Sequence, residues 1–240
     1  MAVGRLYREQ GVVLRTIKLG EADRIVSLVT PGRGKVRAVA RGVRKTKSKF
    51  GGRLEPVSHV AIQCYEGREL DTVTQAETLD HFRAVREDLD RMGRATSMLE
   101  AVDHVSQEKE ANPRLYQMLV GALRALAAGD APLVAPAFFL KLLSLEGSAP
   151  VLEACAVCGS DGPLVAFDLL SGGVLCRADR SGMPVSQDAI DLMRLILGGE
   201  LARALAVGEC RAVTEVSQVA TTAMEAMLER RLRSLHILDR

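Results

Sequence analysis

The sequence predicts an α+β protein of more than one domain: a small N-terminal β-barrel, then an all-α body carrying a cysteine-bearing insert. Three observations predict it. Residues 1 to about 78 hold five short β-compatible runs separated by turn residues. From about residue 79 the apolar residues recur at helical spacing. Between two helical stretches, the frame Cys155-x2-Cys158-x17-Cys176-x2-Asp179 sits in a segment rich in Gly, Pro and Ser, at about 148–182. The expected domains are therefore 1–78 and 79–240, the second containing the insert.

The first run, Arg8 to Ile17, contains Val12, Val13, Leu14 and Ile17; Arg24 to Thr30 is the second. Pro31-Gly32-Arg33-Gly34 supplies a turn into the third, Lys35 to Arg41. There basic and apolar residues alternate, so Lys35, Arg37 and Arg41 belong to one face and Val36, Ala38 and Ala40 to the other. Val57 to Tyr65 and Leu70 to Thr74 follow, parted by Glu66-Gly67-Arg68. Five strands in so short a span, with one long loop at 42–54, suit a closed or half-closed barrel.

The helical part begins with Ala95 to Val105, then Pro113 to Ala128, then Leu133 to Glu146. Asp130 is placed to cap the last of these and Gly147 to end it, with Pro136 in its first turn or limiting it to the part beyond. After the insert, Ser186 is the expected N-cap of a helix over Asp188 to Leu197. The closing helix is the clearest. Val216, Val219, Ala220, Ala223, Met224, Met227, Leu228 and Leu232 share one face, with Arg230, Arg231 and Arg233 set to suit the negative end of the helix dipole.

Composition narrows the class. With 48% hydrophobic and 26% charged residues, the chain reads as globular. No apolar run approaches a membrane span, and Met1-Ala2-Val3-Gly4-Arg5 lacks the apolar core of a signal peptide. That points to the cytoplasm, where an odd number of thiols fits metal binding better than a disulfide framework. Cys64 and Cys210, isolated, read as small buried hydrophobes. Net charge is only +2, yet residues 1–60 hold 14 Lys/Arg against 4 Asp/Glu, and the remainder is acidic. A basic module joined to an acidic one suggests a polyanion-binding function.

That charge concentrates in one loop. Arg41, Arg44, Lys45, Lys47, Lys49 and Arg53 fall within thirteen residues, with no acidic side chain among them. They would repel one another unless a polyanion relieved them, and contacts to phosphates release condensed counterions. Arg33, Lys35 and Arg37 extend the patch along the neighbouring strand. Phe50, inside the loop, is the expected base-stacking residue; Tyr65 could serve the barrel interior as well. With aromatics at 3% and no Trp, binding should be mainly electrostatic and indifferent to sequence.

The cysteine frame is that of a four-ligand zinc knuckle with an aspartate in the last place. Cys155-Ala156-Val157-Cys158-Gly159 is one tight turn, and Ser171-Gly172-Gly173-Val174-Leu175-Cys176 brings up the second half. Zinc accepts a carboxylate oxygen, so Asp179 can close a structural Zn²⁺ site, one per chain, with Asp168 a weaker fourth candidate. A redox dithiol and a vestigial site without metal are the rivals. No His lies nearby, as a catalytic zinc would call for. Catalytic groupings are otherwise missing. His59, His81, His104 and His236 are scattered and read as surface or capped residues. Val29 stands where a phosphate loop before Lys35 would need its first glycine. Glu21 and Asp23 read as partners for the basic patch.

Taken in order, Gly20-Glu21-Ala22-Asp23-Arg24-Ile25-Val26, Thr30-Pro31-x-x-Gly34-Lys35 and Ala40-Arg41-Gly42-Val43-Arg44-Lys45-x-x-Ser48 resemble the bacterial recombination mediator family RecO. Cys155-x2-Cys158-Gly159, Gly172-Gly173-x-x-Cys176 and the ending Arg233-Ser234-Leu235-His236 match as well, so the likeness runs along nearly the whole chain. The resemblance implies an N-terminal OB-fold, a helical body and a zinc-binding insert. It implies binding of single- and double-stranded DNA, annealing of complementary strands, and loading of the recombinase with RecR. It also implies contact with the acidic tail of single-stranded-DNA-binding protein, a place near the nucleoid and no consumption of ATP. Many members carry Cys where this chain has Asp179. The leading expectation is thus a non-enzymatic DNA repair and recombination mediator. The alternative is a protein-interaction scaffold whose basic patch holds an acidic protein tail; a zinc-dependent nucleic-acid hydrolase is a distant third.

Overall fold

The computed structural model describes residues 4–129 and 132–232. Contacts divide the chain into two compact units, one running to Ala128 and the other over Gly129–Leu232.

The first unit is built on a closed five-stranded barrel. Its strands are β1 (Leu6–Leu19), β2 (Asp23–Thr30), β3 (Gly34–Ala40), β4 (His59–Tyr65) and β5 (Asp71–Asp80), in the order β1-β2-β3-β5-β4. All neighbours are antiparallel except β3 and β5, whose parallel contact closes the barrel. This is the OB-like architecture that the strand count anticipates. Closure works because the inward residues are apolar and either small or branched: Val26, Leu28, Val36, Ala38, Val60, Ile62 and Val73 are all buried in one cluster. The alternation read in β3 holds. Val36, Ala38 and Ala40 are buried, while Lys35, Arg37 and Val39 are partly exposed on the outer side. A bulge between Val13 and Arg15 re-aims the far half of β1. Both β1 and β5 are longer than the sequence runs suggest, because their ends pair with neighbours that periodicity alone does not reveal.

Three helices complete this unit: α1 (Arg83–Arg86), α2 (Leu89–Val105) and α3 (Pro113–Ala128). The Asp88 side chain caps α2 by accepting from the Arg91 amide. Asn112 does the same for Leu115 ahead of Pro113, the residue type best suited to a first helical position. Helix α2 starts earlier than the expected Ala95, where its buried face begins; the residues before it include the charged Asp90, Arg91 and Arg94, and Leu89 is exposed.

The second unit contains α4 (Val134–Leu145), α5 (Gln187–Leu197), α6 (Leu201–Leu205), α7 (Arg211–Met227) and a small sheet of β6 (Leu164–Asp168), β7 (Gly173–Cys176) and β8 (Met183–Pro184), in the order β7-β6-β8. Pro136 lies in the first turn of α4, and Gly147 follows its end at φ +82°. There the Ser148 amide donates to the Leu143 carbonyl, the closing bond of a glycine-terminated helix. The Asp130 cap lies outside the described residues. Ser186 caps α5 as expected, accepting from the Ala189 amide.

Helix α7 departs from expectation. It ends at Met227, with Glu229 in the left-handed region at φ +52°. Leu228 is therefore its cap, Leu232 lies beyond it, and Arg230 and Arg231 do not sit in its last turn. The expected Arg233 contribution lies outside the described residues. The apolar face from Val216 to Met224 is nonetheless buried, as its spacing requires. No helix among the described residues is long and apolar enough to cross a membrane.

Candidate nucleic-acid interface and metal centre

The loop between β3 and β4 is anchored from below and charged above. Its two large apolar residues, Phe50 and Leu54, are buried in the barrel core. Its base is tied to the β1–β2 turn: the Gly42 amide donates to Asp23 Oδ1 at 2.7 Å, and the Arg44 amide to the Ala22 carbonyl at 3.0 Å. With the apolar residues turned in, the charged ones turn out. Arg41, Arg44, Lys45, Lys47 and Lys49 are all exposed, and among the described residues none of the five has an acidic partner. Arg44 donates to the Gly20 carbonyl at 3.2 Å and Lys49 to the Thr74 carbonyl at 2.9 Å, neutral acceptors that leave both charges uncancelled. Arg53 folds back onto the carbonyls of Lys49 and Phe50, each at 3.1 Å.

The strand cations behave differently. Arg33 lies 3.8 Å over the Tyr7 ring and 3.6 Å from Glu66. Lys35 meets Asp103, and Arg37 meets Glu108 at 3.4 Å. The segment after α2 is responsible. It runs along the edge of β3, with the Lys35 amide donating to the Gln107 carbonyl at 2.9 Å. Gly34, at φ +63°, makes the approach possible, since a Cβ there would collide with the Glu110 carbonyl. Arg33, Lys35 and Arg37 thus border the patch with their charge already balanced.

Two expectations about rings are corrected. Phe50 is only 1% exposed and belongs to the core, so in this conformation it offers no face to a base; Lys49 Nζ lies 5.0 Å from its ring. Tyr7 is also buried, and burial, aided by its hydrogen bond to Asp71, pushes its hydroxyl above the usual range. Tyr65 is the exposed barrel aromatic, at the end of β4. His59 is buried rather than superficial. Its Nε2 lies 2.6 Å from Tyr116 Oη, and burial lowers its pKa, with the nearby Arg124 charge acting the same way. Cys64 is buried as expected, its thiol pushed up to about 12 by burial, whereas Cys210 is exposed ahead of α7.

In the second unit the cysteine frame closes on itself. The tight turn at Cys155 is set by the Gly159 amide donating to the Cys155 carbonyl at 2.9 Å, with Gly159 at φ +72°. The Ala156 amide donates to the Val174 carbonyl at 2.8 Å, which ties this turn to β7, the strand that carries Cys176. Asp179 lies between β7 and β8. The four ligand atoms of Cys155, Cys158, Cys176 and Asp179 all lie within 4.8 Å of one another. Asp168 is elsewhere, accepting from the amide and hydroxyl of Ser171, both at 2.8 Å.

The spacing of those atoms tests whether a metal fits. For thiolates about 2.3 Å and a carboxylate oxygen about 2.1 Å from a tetrahedral zinc, S···S edges are about 3.8 Å and S···O edges about 3.6 Å. The Cys158–Cys176 sulfurs are 3.7 Å apart, and Asp179 Oδ2 lies 3.3 Å from Cys155 Sγ and 3.4 Å from Cys176 Sγ. The residues present therefore fit such an ion. Their protonation is also set by the cluster. The Cys158 backbone amide, ahead of those of Cys176 and Val157, draws the Cys155 thiol below its ordinary value. Asp179 is the main cause pushing the Cys158 thiol up to about 12, while Cys158, ahead of Cys155 and Cys176, holds Asp179 below the usual carboxylate range.

A closed OB-like barrel bearing an exposed cationic loop, in a chain whose helical unit holds a three-thiol, one-carboxylate cluster, defines a two-part class: a barrel with a basic loop, followed by a helical body with a Cys/Asp cluster. Comparison with known proteins makes the class specific. Residues 1–82 match the family model for the recombination protein O N terminal domain, and residues 86–236 that for its C terminal domain. The chain belongs to the recombination protein O (RecO) family. It is 44% identical to the DNA repair protein RecO of Streptomyces griseus, over 98% of this chain and 99% of that one. It is 45% identical to the protein of that name from Streptomyces coelicolor, with the same coverage, and 43% identical to that of Nocardioides, over 98% of this chain and the whole of that one.

Proposed function

We propose that this protein is a DNA repair and recombination mediator that binds single- and double-stranded DNA and anneals complementary strands without catalysing a reaction. The observation that carries the proposal is the loop at 41–49, where five exposed cations stand without an acidic partner among the described residues, on a barrel of the OB type. In this reading residues 1–78 are the nucleic-acid-binding domain and 79–240 the helical domain. Arg41, Arg44, Lys45, Lys47 and Lys49 neutralise phosphates, with Arg53 steadying the loop and Arg33, Lys35 and Arg37 bordering it. Neutralised backbones approach each other more closely, which is what annealing requires. The family supports the role, and the related proteins are named for DNA repair. RecR, the acidic tail of single-stranded-DNA-binding protein and, through them, the recombinase are the partners this reading assigns, in the cytoplasm near the nucleoid.

Cys155, Cys158, Cys176 and Asp179 would hold one Zn²⁺ in a structural role. When bound it supplies a cross-link between the two turns and no reaction chemistry. Gly159 at φ +72° and Gly172 at φ +70° shape the turn at Cys155 and the hairpin leading to Cys176.

Reversing two loop charges, Arg44→Glu with Lys45→Glu, is expected to abolish annealing while leaving the barrel folded, read by a fluorescence annealing assay beside circular dichroism. A folded double variant that anneals as well as the parent rules out this loop as the site. Titrating an acidic peptide against labelled single-stranded DNA separates the scaffold reading, which requires that the peptide binds and DNA does not at physiological salt.

A further inference from the structure

Beside the cationic loop lies an apolar surface whose residues the barrel's register places together. Cross-strand partners share one side of a sheet. Arg15 pairs with Ser27, and Ser27 with Arg37. Ile17 pairs with Ile25, and Ile25 with Val39. Leu19 pairs with Asp23. The outer face of β1-β2-β3 therefore carries an aliphatic band, Ile17–Ile25–Val39, extended by Leu19. Neighbouring strands are about 4.8 Å apart, so the band is about 10 Å across, and each flanking row lies about 7 Å along the strands. Ile17 is 42% exposed and Leu19 39%, while Ile25 and Val39 are half-buried. Nothing in barrel packing calls for branched apolar residues here, since the interior is filled from the opposite face.

The two flanks differ in charge. On one side Arg41 leaves the end of β3 two residues beyond Val39, and Arg44 is fixed to the Gly20 carbonyl just past Leu19. Both are exposed and lack acidic partners among the described residues. On the other side Arg15 lies 2.7 Å from Asp103 and Arg37 3.4 Å from Glu108. That edge is a closed row of ion pairs, and Asp23 within the face already accepts from the Gly42 amide.

We infer that the aliphatic band is a base-contacting platform that makes the barrel favour single-stranded over duplex nucleic acid. The inference rests on the loop's phosphate-binding role and adds what the rest of the strand does. The backbone follows the Arg41–Arg44 edge, and the unpaired bases turn onto Ile17, Ile25 and Val39. Aliphatic side chains take the place that exposed aromatics fill elsewhere, Tyr7 and Phe50 being turned into the core. A duplex keeps its bases stacked inside and gains nothing from the band. Its second backbone finds at the far edge only cations already paired with Asp103 and Glu108, and so gains no phosphate contact there. Charge complementarity thus favours a strand with phosphates on one side and apolar bases on the other.

The test compares two oligomers of one length, a thymidylate and an otherwise identical oligomer with abasic sites, with the intact protein. The wild type is expected to bind the thymidylate roughly tenfold more tightly at fixed salt. Replacing Ile17→Thr and Ile25→Thr keeps β-branching on the outer face and should reduce thymidylate affinity to the abasic level. Its salt dependence and its affinity for duplex should not change. Equal binding of both oligomers by the wild type overturns the platform without any variant being needed. A folded variant that keeps the preference overturns it too. If Arg44→Glu/Lys45→Glu weakens binding in either case, the phosphate role of the loop survives and only the platform fails. If those charges have no effect either, the loop reading itself fails. An Ile17→Thr/Ile25→Thr protein unchanged toward all nucleic acids would likewise show the inference to be wrong.

Discussion

Lys45 and Lys47 offer the cleanest probe of the loop. Both are exposed, and neither side chain has a partner among the described residues, so replacing each by Gln removes charge without breaking an intramolecular contact. If the five exposed cations each meet one phosphate of a single strand, the logarithm of the binding constant should fall with that of salt at a slope of about −3.5. Removing two contacts leaves three and a slope of about −2.1. Between 50 and 200 mM salt the parent would then lose about 100-fold in affinity and the variant about 20-fold. Fluorescence anisotropy across that range measures both. The curves should converge at high salt, because the variant has less to lose. A slope unchanged by the two substitutions would refute the assignment of these lysines to phosphates, even if the affinity itself fell.

Three other outcomes follow from the geometry. Purified protein should contain one zinc per chain, and Asp179→Ala should weaken metal retention against a chelator while leaving barrel spectra unchanged; because bound thiols must be deprotonated, metal affinity should fall as the medium is acidified. Full stoichiometry and affinity in Asp179→Ala would remove the aspartate from the ligand set. Gly34→Ala should destabilise the first unit by at least about 2 kcal/mol in urea unfolding, since the left-handed backbone and the Glu110 carbonyl both oppose a Cβ; a midpoint like the parent's would show that the 107–110 segment yields freely. His59, with its pKa lowered by burial, should be neutral when folded. The unfolded chain then takes up a proton first as pH falls below about 6.5, so stability is greatest above that value and declines below it. His59→Asn should flatten that part of the stability profile, and an unaltered slope would place its origin elsewhere.

Much of this was legible in the residues because periodicity reports burial. The alternation of Lys35, Val36, Arg37 and Ala38 gave the sidedness of β3, and Pro113, Ser186 and Gly147 marked helix ends by what their backbones permit. The ligand frame of the insert was readable from spacing alone, because a tetrahedral site needs two short turns. What escaped was set by contacts distant in sequence. Phe50 looked like a stacking residue because its neighbours are basic, and only the closed barrel shows that its ring fills the interior. Lys35 and Arg37 looked like free cations because Asp103 and Glu108 lie some seventy residues on. The aliphatic band was hidden for the same reason: Ile17, Ile25 and Val39 come from three strands, and only register makes them neighbours. The end of α7 is not legible in the periodicity because an apolar residue at the right interval, Leu232, continues the pattern past the point where Glu229 turns the chain.

Hydrogen-exchange mass spectrometry of the whole protein, with and without a saturating single-stranded oligomer, locates the nucleic-acid interface. Exchange should slow over the loop at 41–53 and over strands β1 to β3, and change little in β6 to β8. Protection confined to residues 129–232, with the basic loop exchanging as in the free protein, would contradict an interface on the barrel.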